Sequence, residues 1–131
     1  MQIRTFPNLT VIRKTKGKLP RLPFSKLKNA VLGKSYELSI VFASPAETRR
    51  LNRAYRNKDK AANILSFPLS KKSGELYLCE REIRKSEKEF GLAGTKLLVY
   101  FIIHGMLHLE GASHGSKMRK SEARLHRRFG L

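Results

Sequence analysis

At 131 residues the chain has the length of one domain, and its 40% hydrophobic and 29% charged residues exclude a disordered or low-complexity polymer. Twenty-eight Lys and Arg against ten Asp and Glu leave a net charge of +18, an excess that selects a polyanionic partner, nucleic acid first. The single cysteine, Cys79, excludes an intrachain disulfide, and the longest apolar run, Leu97 to Ile103, falls far short of the roughly 20 residues that cross a bilayer.

The opening MQIRTFPNLT has no apolar core of the signal-peptide kind, so a cytoplasmic location with no membrane partner is expected. Residues 1 to 36 hold nine Lys or Arg and no acid, including Arg13, Lys14 and Lys16, and segment 1–35 reads as a basic arm or edge of one domain spanning 1–131. Tyr36 to Ala43 (YELSIVFA) is rich in β-branched and aromatic residues and predicts a strand. Ser44, Pro45 and Glu47 then supply a hydroxyl cap, a proline at the first helical position and a carboxylate three residues after the cap, so a helix should run to about Arg56.

Asn63 to Pro68 and Glu75 to Cys79 predict two paired strands joined by the polar turn Ser70 to Gly74. Glu80 to Phe90 is charged and helix-compatible, closed by Gly91, and Thr95 can cap a further helix running through LLVYFIIHGMLHLE. That helix is apolar almost all the way round from Leu97 to Ile103, so other elements must surround it. Gly111 should end it, and Ser116 to Phe129 closes the chain as a basic amphipathic helix. The fold class is α+β.

On the central helix, His104 and His108 stand four residues apart, which puts both imidazoles on one face about one turn from each other, a chelating arrangement. They continue the stripe of Leu97 and Phe101, so they lie where a buried face emerges at the helix end. Gly111 lets the chain turn back, and His114 can complete a three-nitrogen site. A lone HxxxH pair arises readily by chance; the third histidine, the glycine between and the buried helix leading in give this one its weight. With no obvious fourth ligand the site reads as open, one zinc ion is the expected occupant, and a zinc-bound water with a pKa near 7 would make it a hydrolytic centre. Cys79 as fourth ligand is the alternative.

The spacing also resembles that of metzincin peptidases, but Gly105 stands where those enzymes carry their glutamate base, and Glu110 lies on another side of the helix. Asp59, the only aspartate in the chain, argues against a carboxylate-built two-metal nuclease.

HGMLHLEGASHG followed by Met118 and Glu122 is similar to the YbeY family of metal-dependent endoribonucleases and ribosomal RNA maturation factors. Leu51-Asn52-Arg53-Ala54-Tyr55-Arg56-Asn57-Lys58-Asp59 and Ile64-Leu65-Ser66-Phe67-Pro68 resemble two further family blocks, and Gly74-Glu75-Leu76 a third. The resemblance implies a sheet of about four strands around the histidine helix, a zincin-like site of His104, His108 and His114, and cleavage of single-stranded RNA, a ribosomal RNA precursor, with the small ribosomal subunit as a partner. It also implies a substrate contact by Arg56, whose planar fork suits a phosphate. Ser113, Asn63 and Ala62 depart from the family's acid, Asp and Thr, so Ser113 is a candidate catalytic position altered in kind.

The expected function is a zinc-dependent endoribonuclease in which metal-activated water attacks an RNA phosphodiester. Arg56, Lys58, Arg13, Lys14, Lys16, Arg127 and Arg128 are the expected RNA contacts. The competing readings are a non-catalytic, metal-stabilised RNA-binding factor of the ribosome and, third, a metallopeptidase. His126, among Arg124, Arg127 and Arg128, reads as part of a basic surface.

Overall fold

The computed structural model describes residues 1–111 and 116–131. Its sheet has five strands, one more than expected, in the order β1-β2-β3-β5-β4. The extra pairing comes from the basic N-terminal segment, which forms an edge of the sheet rather than an arm. β1 (Gln2–Phe6) and β2 (Leu9–Arg13) form an antiparallel hairpin in which Phe6 pairs Leu9 across the tight turn Pro7-Asn8. Asn8 sits at φ 57, a left-handed conformation that asparagine tolerates. α1 (Phe24–Val31) carries the chain across to β3 (Glu37–Phe42), which pairs parallel to β2. Its buried face of Phe24, Leu27 and Val31 includes a cation, Lys28, whose Nζ donates to the carbonyls of Gly33, Lys34 and Tyr36 at 2.9 to 3.0 Å.

α2 (Pro45–Arg56) begins as its sequence predicts, with Ser44 Oγ accepting from the Glu47 N–H at 3.1 Å, and it ends at Arg56 where Asn57 turns left-handed at φ 54. β4 (Ile64–Ser70) and β5 (Ser73–Leu78) make the expected antiparallel pair, and β5 also pairs parallel to β3, so β3 is flanked by parallel neighbours on both sides. The charged stretch after β5 is two short helices, α3 (Glu80–Arg84) and α4 (Glu87–Phe90), and Gly91 closes the second at φ 65.

α5 (Gly94–Leu109) is the central helix. Thr95 does not cap it: Ala93 holds the cap position, and the Glu87 carboxylate accepts from the Gly94 N–H at 3.1 Å instead. Leu97, Ile102, Ile103 and Met106 are buried to 1% or less, in one core cluster with Val11, Ile40, Leu76 and Leu78 of the sheet and Phe24 and Leu27 of α1. α6 (Ser116–Arg128) packs on α5 through Met118 and Leu125.

α2 lies on the opposite face of the sheet from α5. Ile64, Ser66 and Leu76 approach Gly105 of α5, while Phe67 of β4 points the other way and packs its ring 5.3 Å from that of Tyr55 on α2. Among the described residues no helix is long and apolar enough to cross a membrane.

Candidate metal centre

α5 presents its buried stripe to the sheet and its last two turns to the edge beside β4, and this fixes where the histidines fall. Gly105 marks the closest approach. A Cβ there would meet Ile64 Cδ1 at 2.5 Å, Leu76 Cδ2 at 3.0 Å and Ser66 Oγ at 3.2 Å, so any larger residue would have to displace the side chains of the sheet that pack on the helix here. Ser66 Oγ also donates to the Gly105 carbonyl at 3.0 Å. The position after His104 therefore faces the sheet, and a glutamate base of the peptidase kind could not reach out of it.

His104 and His108 do converge. Their Nε2 atoms lie 3.1 Å apart, with ring centroids at 4.6 Å and planes at 73°. Two imidazole nitrogens each roughly 2.0–2.1 Å from one tetrahedral ion would stand about 3.3 Å from each other, so this pair has the separation of two ligands on a shared metal. The outer nitrogen of His104 is also held: Nδ1 lies 3.4 Å from both carboxylate oxygens of Glu122. A proton on Nδ1 directed at that carboxylate makes Nε2 the lone-pair nitrogen, the tautomer that metal ligation needs.

Glu122, which with Met118 follows the histidine motif in the family resemblance, lies on the last helix. Its side chain is only 14% exposed, because α6 folds back along α5. His126, one turn further on, is not surface either. Its ring lies 4.9 Å from that of Tyr100 at 32°, its Nε2 is 4.0 Å from Glu122, and burial pushes its pKa below the usual histidine value, with Glu122 opposing that shift and His104 adding to it.

The third proposed ligand, His114, and the altered position Ser113 lie outside the described residues. Among the described residues no three His, Cys, Asp or Glu side chains are grouped to hold an ion. Cys79 is buried, and its thiol is pushed up by that burial while the backbone N–H groups of Arg81 and Glu82 hold it down in part, which places it at the start of α3. The donor set that fits a metal is accordingly His104 and His108, with Glu122 orienting the first.

Beside the histidine edge runs a groove of about 390 Å³ lined by Asn52, Arg56, Lys58, Lys60, Asn63 and Ile64. Ile64 joins the two features, lining the groove while its tip touches the α5 backbone at Gly105. Arg56 and Lys58 are exposed at its rim, and Asn57 in its left-handed conformation turns the chain between them. Asn63 Oδ1 is turned back onto the Ile64 N–H at 2.8 Å. Asn52 is 3% exposed, donates to the Lys60 carbonyl at 3.0 Å, and holds the loop in place.

The other expected RNA contacts are scattered. Lys14 pairs with Glu47 at 3.0 Å, and Arg127 and Arg128 are exposed on α6. Arg13 is committed inside the protein, paired with Glu80 and donating through Nε and Nη2 to the Lys16 carbonyl at 3.1 and 3.0 Å. Sequence reading missed Glu122 as a partner of the site. Its spacing from Met118 carried a signal, but only the return of α6 along α5 gives that signal a meaning.

A family model described as Endoribonuclease YbeY matches residues 15–129. An endoribonuclease YbeY of Sulfurimonas denitrificans is 34% identical over 102 residues, which cover 72% of this chain and 73% of the relative. One of Finegoldia magna is 34% identical over 87 residues, covering 61% of this chain and 57% of the relative, so the match spans little more than half of that protein's length. A solution structure of a protein from Thermotoga maritima superposes with a TM-score of 0.61 at 25% identity, covering 88% of this chain and 85% of that one.

Proposed function

The chain belongs to the endoribonuclease YbeY family, and from that premise we propose that it is a zinc-dependent endoribonuclease of the cytoplasm that cleaves single-stranded RNA during ribosomal RNA maturation. The observation that carries this reading is the convergence of His104 Nε2 and His108 Nε2 to 3.1 Å beside a groove rimmed by Arg56 and Lys58. His114 is proposed as the third donor.

An ion held there would supply Lewis acidity and a water acidic enough to deprotonate near pH 7. The chain's own residues do the rest. Glu122 holds the His104 ring in the ligating tautomer through Nδ1. Arg56 offers two parallel N–H donors to a phosphate, a match to the non-bridging oxygens on which charge grows as the diester is attacked. Lys58 adds a second positive charge at the same rim, and the net charge of +18 draws the polyanion in. Gly105 supports hydrolysis of phosphodiesters over peptides, since it leaves no carboxylate at the position after His104, where peptidases carry their base.

The test is cleavage of single-stranded RNA by the purified protein, with and without a chelator, and by His108→Ala. Cleavage that needs zinc and disappears in the variant, while RNA is still bound, supports the enzyme. RNA binding with no cleavage under any metal condition would replace it with the non-catalytic reading, for which the departures at Ala62, Asn63 and Ser113 are the motive.

A further inference from the structure

A second cavity, of about 620 Å³, opens at the carboxyl ends of β2, β3 and β5, where Arg13, Phe42 and Cys79 line it. In sheets with parallel strands this end is where ligands bind, because the strands stop and the connections diverge. The groove beside the histidines and this cavity are separated by α3 and share one residue, Lys85. Arg81, Arg84 and Lys85 stand at i, i+3 and i+4, so they occupy one face of that short segment, and all three are exposed.

The floor of the cavity is a fixed ion pair. Arg13 and Glu80 face each other with side chains 12% and 17% exposed. Glu80 therefore spends its charge largely on Arg13, with Arg84 at 3.5 Å as a second partner. Arg13 also clamps the Lys16 carbonyl, and Gly17 at φ 104 lets the loop close onto the guanidinium. Lys16 is thus carried on a pinned turn that lines the same cavity as Arg81 and Arg84. The result is a concave surface with cations on two separate elements and one acid already neutralised.

We propose that this cavity is a second phosphate-binding subsite, which holds the backbone of the RNA strand beyond the groove, with Lys85 as the link between the two. This rests on the reading of RNA as the ligand, but not on turnover. A strand leaving the Arg56–Lys58 rim passes Lys85 and lays its next phosphates on Arg81, Arg84 and Lys16. Such a subsite is reached by long strands and not by short ones.

The experiment is binding of labelled oligoribonucleotides of 4 and 16 residues to the whole protein, the strands checked for intactness afterwards on a denaturing gel. The variants are Arg81→Glu with Arg84→Glu, Lys16→Glu alone on the segment after β2, and a charge-matched control, Lys71→Glu with Lys72→Glu, in the β4–β5 turn at the far end of the sheet. The subsite predicts that the first variant weakens the 16-mer about tenfold and flattens its log–log salt slope by roughly 1.4, two phosphates at about 0.7 each, with the 4-mer changed less than about twofold. Lys16→Glu gives the same pattern at about half the slope change, so misfolding of α3 cannot mimic the result. Equal loss for both lengths, or a control that weakens the 16-mer as much, would overturn the subsite. Because only binding is read, a protein that never cleaves RNA would sink the enzyme reading and leave this one standing.

Discussion

Nδ1 of His104 lies 3.4 Å from the carboxylate of Glu122, a residue 18 positions further along the chain and on another helix. A carboxylate behind a ligating imidazole raises its basicity and fixes its ring. Glu122→Gln keeps the shape and removes the charge, so metal affinity should fall about 10–100-fold with the fold intact. Competition titration with a chelating dye measures it, and an unchanged affinity would remove Glu122 from the site.

Arg56 is exposed at the groove rim. Arg56→Ala should leave unfolding free energy within about 0.5 kcal/mol of the parent and lower kcat/KM on single-stranded RNA by about 100-fold. Arg56→Lys should recover only part of that loss, since an ammonium cannot make two parallel bonds. Full activity in the lysine variant would show that only charge matters there.

The contact of Gly105 with the sheet has its own test. Gly105→Glu restores the residue that peptidases carry, but its carboxylate would be driven against Ile64 and Leu76. A loss of more than about 3 kcal/mol in urea unfolding is expected, with no proteolysis of a denatured protein substrate. A stable, proteolytic variant would reverse the argument for phosphodiesters.

Lys28 is 1% exposed, and its three carbonyl partners saturate the ammonium. Lys28→Met should cost about 2–4 kcal/mol, chiefly from acceptors left without a donor. Burial lowers the Lys28 pKa from 10.5, so between the folded value and 10.5 the unfolded chain binds the extra proton and folding is favoured as pH rises. The parent should therefore gain stability relative to the methionine variant as pH climbs toward 10.5. Parallel curves for the two proteins would show that Lys28 does not titrate there.

The elements legible in the sequence are those whose signals are local. Ser44, Pro45 and Glu47 announce α2, and the polar turn between two apolar runs announces the β4–β5 hairpin. The N-terminal half of the sheet was hidden. β1 and β2 have five residues each and carry Arg4 and Arg13 among their apolar positions, and their pairing is non-local: β1 lies against β2, and β2 against β3. α1 was masked by Lys28, a cation on its buried face that breaks the apolar period and makes sense only once the carbonyls of Gly33, Lys34 and Tyr36 surround it. The histidine pair was readable from spacing on one helix. The carboxylate behind it depends on how α6 returns, and no periodicity encodes that.

The order of elements along the chain carries a kinetic consequence. All five strands are complete by Leu78, whereas α5 begins at Gly94 and Glu122 lies on the last helix. A chain emerging from its N-terminus can therefore join its two hairpins through β3 before either imidazole has been synthesised. The histidines are then delivered to an edge that already exists, so a newly made molecule acquires its scaffold first and its capacity to hold an ion last.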